Sequence, residues 1–253
     1  MRRAIDLPYF RRDNALLWQS RGASEVRYGL TAYYTRRHDD LGLLDRLTED
    51  GLFGAETYVV DDVVVSRDLL DSIAELKFLD EELGISTRAT TVLDIGAGYG
   101  RLAHRGAAAF EDLNFVCVDA VPISTFLCEY YLSFRGVKDR ARTVPLDEVE
   151  ESTEARSANL AVNIHSFSEC PLTTIEWWLD LLATTRATHL MIVPNTRDRL
   201  LSTERSGRRL DFMPAVRARG FELVRKRPKY AHSDFVQTHG IYPSVFYLFR
   251  RAG

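Results

Sequence analysis

The stretch Val92-Leu93-Asp94-Ile95-Gly96-Ala97-Gly98-Tyr99-Gly100-Arg101-Leu102 decides the fold. A short apolar run, Thr91–Ile95, enters a glycine-rich turn, and a helix-period segment, Arg101–Phe110, leaves it. Strand, glycine turn and helix in that order open a doubly wound α/β sheet. Gly96, Gly98 and Gly100 permit positive φ and let a ligand approach the backbone closely. Their spacing is GxGxG rather than GxGxxG, and Asp94 stands two residues before the first glycine. A carboxylate there suits a ligand with a positive ammonium group better than a bare phosphate.

Downstream, the same alternation continues. Asn114–Asp119, Arg142–Leu146, Asn159–Ile164 and His189–Pro194 read as strands, with helices at Pro122–Phe134, after Pro171, and at Arg209–Arg219. Such alternation means a parallel sheet with helices on both faces. Phe221–Arg225 and Val245–Phe249 then follow with no helix-period segment between them, which predicts an antiparallel pair at one edge. The expectation is a seven-stranded, mostly parallel, Rossmann-like α/β sheet with an antiparallel last strand. Upstream, residues 25–50 read as helical, with Tyr33, Tyr34, Leu41, Leu44 and Leu47 as apolar positions. A break follows at Gly51–Gly54, then short extended pieces at Val59-Val60 and Val63–Val65. Ser66 is placed to cap a helix whose stripe is Leu69, Ile73, Leu76, Leu79 and Leu83, and Gly84 to stop it. The division expected is a helical extension over 1–84 and the sheet domain over 85–253.

Composition narrows the function classes. The chain has 253 residues, 45% apolar and 27% charged, enough to fold without disulfides or a structural metal. A net charge of −3 argues against a nucleic-acid partner. No apolar run is long enough to span a membrane, and the N-terminus has no apolar secretory core. Cys117, Cys128 and Cys170 form no CxxC pair, consistent with a reduced, cytoplasmic setting. Arginine greatly outnumbers lysine but is spread along the chain, which fits codon bias better than function.

The second strand supplies a second acid. Asp119 ends it, and a carboxylate there can accept both hydroxyl hydrogens of a ribose. Ala120 and Val121 would then lie against an adenine, with Leu146 and Asp147 bracketing its edge. A generic dinucleotide turn is the alternative, since a lone glycine motif is weak evidence.

LDIGAGYGRLAHR, CVDAVPISTFLCEYYL and the later strands resemble the class I S-adenosylmethionine-dependent methyltransferases. Together with Ser66–Ser72, Ala161–Cys170 and Pro228–Tyr230 they resemble, more narrowly, the bacterial sugar O-methyltransferases, over roughly residues 60–250. Within these, the arginine-rich, compact form is most like the actinobacterial enzymes that methylate mannose oligosaccharides in methylmannose polysaccharide synthesis. The resemblance implies S-adenosylmethionine as cofactor and a sugar or oligosaccharide hydroxyl as acceptor; a non-sugar natural-product hydroxyl, such as a phenol or polyketide alcohol, is the alternative acceptor. It also implies that residues 1–84 cover the cofactor and wall the acceptor pocket, or make a homodimer contact.

In this fold the end of the fourth strand faces the reacting methyl, and here it reads Asn163-Ile164-His165-Ser166-Phe167-Ser168-Glu169. The Asn/Asp-Pro-Pro-aromatic motif of amino-group methyltransferases is missing. An alcohol acceptor must lose a proton, and a histidine, with a reference pKa of about 6.5, can take it. His165 is therefore the candidate base and Glu169 the candidate orienter; a structural histidine at a strand end is the alternative. A magnesium-assisted route would use Glu169, Asn195 and Asp198, but no compact carboxylate pair favours it. Arg67 is a candidate for the cofactor carboxylate. The loop Tyr230–Pro243 mixes aromatic and hydrogen-bonding side chains as sugar sites do, making Tyr230, His239 and Tyr242 acceptor candidates. His38, His104 and His189 lack metal spacing and read as structural.

Overall fold

A computed structural model describes residues 24–252 of the chain. Two compact units divide it: Met1–Gly84 with Tyr230–Pro243, and Ile85–Lys229 with Ser244–Gly253. The segment 230–243 groups with the first unit, although it lies far along the chain from the rest of it.

The first unit opens with α1 (Glu25–His38), capped by Ser24, whose hydroxyl accepts the Arg27 N–H at 3.3 Å. Its buried face is Tyr28, Thr31, Ala32 and Thr35, an i, i+3, i+4, i+7 stripe. Tyr33, expected among the apolar positions, is exposed instead and donates its hydroxyl to Asp61. The helix does not run on to residue 50. The Asp39 carboxylate accepts the Leu44 N–H at 2.6 Å and Gly42 takes φ 63°, so the chain turns before the single-turn α2 (Leu43–Arg46). A short polar side chain that bonds nearby backbone competes with helix continuation in this way.

The valine pieces pair as β1 (Thr57–Val60) and β2 (Val63–Ser66), antiparallel. Asp61 and Asp62 between them have φ 47° and 64°, the left-handed pair that a two-residue hairpin turn requires. In α3 (Arg67–Leu83) the Ser66 hydroxyl accepts the Leu69 N–H at 3.0 Å, and Gly84 closes the helix in the left-handed region, its N–H bonded to the Asp80 carbonyl at 2.7 Å.

Segment 230–243 docks on α1. Ile241 N–H donates to Thr31 Oγ1 at 2.9 Å and His232 N–H to the Tyr34 hydroxyl at 3.2 Å. The segment contains a short helix, Asp234–His239, where no helix was expected; Ser233 caps it and six residues are too few to show a period.

Beside this contact the His38 and His232 rings stack, with centroids 4.7 Å apart and planes 18° apart. Partial burial, and then the neighbouring His232, Arg37 and Lys77, hold His38 below its ordinary value of 6.5, against the opposing pull of Glu81. A depressed folded value means that the undocked state binds the proton more readily. Docking is therefore at full strength above pH 6.5 and weakens as pH falls below it. After correction for the intrinsic rate, which itself falls with pH, amide protection at residues 230–243 should drop on going from neutral to mildly acid pH, and His232→Ala should remove part of that pH dependence. Identical pH profiles for wild type and variant would show that the stacked pair contributes nothing to docking.

The second unit is the expected sheet. Its elements in chain order are β3 (Thr90–Ile95), α4 (Arg101–Ala109), β4 (Leu113–Val118), α5 (Pro122–Phe134), β5 (Ala141–Thr143), α6 (Thr153–Ser157), β6 (Leu160–Ile164), α7 (Leu172–Ala183), β7 (His189–Val193), α8 (Met213–Ala218), β8 (Phe221–Pro228) and β9 (Val245–Arg251). The seven strands lie in the order β5-β4-β3-β6-β7-β9-β8. β3 to β7 are mutually parallel, and β9 runs antiparallel to both β7 and β8. Leu93, Val116, Ala161, Leu190 and Ile192 of the sheet bury against Ile175, Trp178 and Leu182 of α7 and Val216 of α8. α8 is shorter than the expected Arg209–Arg219, because Asp211 bridges to Leu201 in extended form first.

From β3 the chain winds outward through β4 to β5. It then returns to β6 on the other side of β3. The carboxyl ends of β3 and β6 therefore flank the point where strand order reverses, the place where open α/β sheets bind ligands.

Candidate active site

The glycine turn leaves the end of β3 as expected. Gly96, Gly98 and Gly100 have φ 74°, 61° and 85°. The Gly96 and Ala97 N–H groups both donate to the Val118 carbonyl, at 2.8 and 3.1 Å, which fastens the turn to the end of β4. Asp94 is buried in β3, in register with Cys117 of β4 and Val162 of β6.

Asp119 organises the space next to that turn. Its Oδ2 accepts the Gly98 N–H at 2.9 Å and its Oδ1 the Val121 N–H at 2.8 Å. A carboxylate can accept about four hydrogen bonds in all. Ala120 is exposed and Val121 is 49% exposed, an apolar surface beside the carboxylate. Leu146 is half-buried and Asp147 exposed, on a single 3-10 turn after β5.

The end of β6 meets the glycine turn across the switch point. Asn163 Nδ2 donates to the Ile95 carbonyl at 2.9 Å and to Ser166 Oγ at 2.6 Å. A Cβ on Gly96 would lie 2.1 Å from Ser166 Oγ. Gly96 is thus glycine for a packing reason as well as a conformational one. Sequence reasoning passed over Asn163 and Ser166; the signal was an N-x-x-S pair at the strand end that carries the candidate base.

His165 is half-buried, with φ 70° and ψ −35°. Its N–H donates to the Val193 carbonyl at 2.7 Å, and its carbonyl accepts the Ser168 N–H at 3.0 Å. Backbone held in a sparsely populated region costs on the order of 1–3 kcal/mol and clusters at functional sites. Glu169 is exposed and accepts a hydrogen bond from the Asn195 side chain at 3.3 Å. The Asp198 carbonyl accepts the Tyr247 hydroxyl, and the Asp198 side chain is exposed. Among the described residues no three His, Cys, Asp or Glu side chains converge as a metal would require. The Cys170 thiol is pushed up to about 11, by burial first and then by the Glu169 and Asp119 carboxylates. β4 and β6 both pair parallel with β3, so their carboxyl ends lie on the same rim of the sheet.

The remaining candidates belong to the first unit. Arg67 Nε pairs with Asp71 at 3.1 Å, and its guanidinium lies 4.2 Å over the Tyr242 ring. Tyr230 is buried, and its hydroxyl donates to the Ile241 carbonyl, a bond internal to the segment. His239 is exposed and packs on the Phe235 ring at 4.6 Å. His104, in the second unit, bonds through Nδ1 to the Tyr131 hydroxyl at 2.9 Å, a packing role.

No protein-family model and no curated protein matches the sequence. Solved structures match the fold. The [4+2]-cyclase SpnF is 12% identical with a TM-score of 0.53, over 87% of this chain and 96% of that one. A protein from Galdieria sulphuraria, assigned as a sarcosine dimethylglycine methyltransferase, is 15% identical with a TM-score of 0.52, over 88% and 98%. The glycopeptide N-methyltransferase MtfA, complexed with sinefungin, is 12% identical with a TM-score of 0.51, over 71% and 86%. At such identities the likeness is one of fold alone, and that fold serves a cyclase as well as methyltransferases. Among the described residues no helix is long and apolar enough to cross a membrane.

Proposed function

We propose that the chain is an S-adenosylmethionine-dependent O-methyltransferase acting on a hydroxyl of a sugar or oligosaccharide, mannose-based by the sequence resemblance, with His165 as general base. The observation that carries the cofactor half is Asp119. Its carboxylate ties down both the glycine turn and Val121, three residues past β4, and it borders the exposed apolar face that Val121 presents. That combination suits a ribose with an adenine beside it. The cofactor supplies an activated methyl group that needs no further activation by protein. Asp94, Gly96, Gly98 and Gly100 would hold its amino-acid end, Asp119 its ribose, and Ala120, Val121, Leu146 and Asp147 its adenine. Arg67 is assigned to its carboxylate.

What remains for the chain is to bind, orient and take a proton. Holding two reactants in line is worth roughly 7–11 kcal/mol of barrier. An imidazole nitrogen of His165 would accept the acceptor's hydroxyl proton, and the Glu169 carboxylate would favour the resulting imidazolium. His239 and Tyr242 are assigned to the acceptor. Tyr230 supports the same segment from within. A magnesium-assisted route remains the second reading, because the Glu169 and Asn195 side chains do meet.

The deciding experiment is transfer of labelled methyl from S-adenosylmethionine to a panel of mono- and oligosaccharides and phenolic alcohols, with and without chelator. Transfer to saccharides that survives EDTA is the expected result. Transfer only to the phenols would overturn the sugar assignment. Loss with EDTA and recovery with magnesium would move the proton-removing role to a metal at Glu169, Asn195 and Asp198. Asp119→Ala should weaken S-adenosylhomocysteine binding by at least tenfold in calorimetry, since a charge-assisted hydrogen bond contributes about 1.5–3 kcal/mol. Unchanged affinity would remove Asp119 from the ribose.

A further inference from the structure

Asn163 is the residue before the last of β6, and its side chain is fully buried. A buried amide must find partners for its donors and its acceptor. Here they converge on two short segments. Nδ2 donates to the carbonyl of Ile95, the residue before the glycine turn, at 2.9 Å. It also donates to Ser166 Oγ at 2.6 Å, and Oδ1 accepts the Phe167 N–H at 3.0 Å. Ser166 and Phe167 directly follow His165. One amide therefore grips the peptide leading into the glycine turn and the two residues leaving the candidate base.

The grip is tight on both sides. Ser166 fills the space where Gly96 lacks a Cβ, and its Oγ lies 3.4 Å from the same Ile95 carbonyl. His165 sits between the gripped residues in a positive-φ backbone conformation that its own N–H and carbonyl bonds alone fix only at one point each. β3 and β6 are neighbours in the sheet, so the ladder already sets their register. The β3–β6 ladder ends at Ile95 with Asn163; past that pair Ile164 keeps its partner Val193 in β7 and Gly96 bonds Val118 of β4, but the two chains no longer pair with each other. The Asn163 side chain carries the register past the end of the ladder.

We infer that Asn163 is a positioning residue, which sets the distance between the cofactor turn and the His165 ring by locking Ile95 to Ser166 and Phe167. The inference rests on the methyltransferase reading, with His165 as base. Asn163→Asp keeps the shape and the acceptor for Phe167 but loses both donations. It also sets a carboxylate against the Ile95 carbonyl. Ser166→Ala removes one of the two donations and relaxes the contact with Gly96.

The test measures amide exchange at 96–100 and 165–169 in the unliganded protein, and steady-state kinetics of folded enzyme well below the melting temperature. Asn163→Asp should quicken exchange in both segments. It should also lower kcat by roughly 10–100-fold, since misplacement by about 1 Å can cost that much, with acceptor KM little changed. Ser166→Ala should fall between wild type and Asn163→Asp on both readouts, and it serves alone if Asn163→Asp does not fold. Unchanged exchange in either segment overturns the inference. Loosened segments with wild-type kcat also overturn it, leaving Asn163 a purely structural staple. If wild-type protein transfers no methyl to any acceptor, the functional reading fails separately. The exchange data then still decide whether Asn163 couples the two segments.

Discussion

His165→Ala is expected to lower kcat by roughly 10²–10⁴-fold at saturating cofactor and acceptor, the usual contribution of a positioned general base. S-adenosylhomocysteine affinity should hardly change, because the ring is assigned to the acceptor and the glycine turn keeps its own bonds to Val118 and Asp119. The backbone at this position has φ 70°, which alanine tolerates poorly and asparagine better. His165→Asn therefore separates loss of the imidazole from disturbance of the loop: both variants should lose turnover to a similar degree if the ring is the base. Glu169→Gln should cost much less, since its carboxylate is exposed and shared with Asn195. Full turnover in either His165 variant would remove the residue from the chemistry.

Gly96→Ala is expected to damage both cofactor binding and stability. A Cβ there would lie 2.1 Å from Ser166 Oγ and 2.5 Å from Ser166 Cβ, distances no native contact shows. Alanine at φ 74° adds about 1–2 kcal/mol of backbone strain. Pushing Ser166 aside adds an overpacking cost of about 1–3 kcal/mol. Chemical denaturation should report the sum, and calorimetry with S-adenosylhomocysteine a loss of affinity. In the double variant Gly96→Ala/Ser166→Gly the overlap is relieved and the strain is not, so part of the stability should return. A Gly96→Ala protein with wild-type stability and affinity would contradict the described packing.

The sheet was legible because its signals are local and redundant. β3 and β4 are apolar runs with punctuated ends, and the lack of a helical period between Phe221–Arg225 and Val245–Phe249 placed the antiparallel pair correctly. The glycine turn and Asp119 were legible for the same reason: few residue types satisfy positive φ, or a strand-end acceptor, at that spacing. Other features depend on contacts distant in sequence. The break after His38 hangs on the Asp39 carboxylate finding the Leu44 amide. The docking of segment 230–243 hangs on Thr31 and Tyr34, some 200 positions earlier in the chain. Asn163 and Ser166 read as ordinary strand-end polar residues until the Ile95 carbonyl is seen between them. The positive φ of His165 is likewise invisible in residue type, since histidine adopts that conformation only when its surroundings impose it.

The Tyr230–Pro243 excursion leaves and rejoins the sheet at one place. The β8–β9 ladder runs to Pro228 opposite Val245, and just beyond it the Lys229 N–H donates to the Ser244 carbonyl at 2.9 Å. To the two strands the excursion is a hairpin connection, whose closure is already set by the paired residues at its base. The entropy of closing such a connection grows only slowly with its length, by roughly 0.6 kcal/mol per doubling. The register of β8 and β9 is therefore set at the base of the excursion and depends little on its length, whereas its composition answers to α1, on which Ile241 and His232 dock.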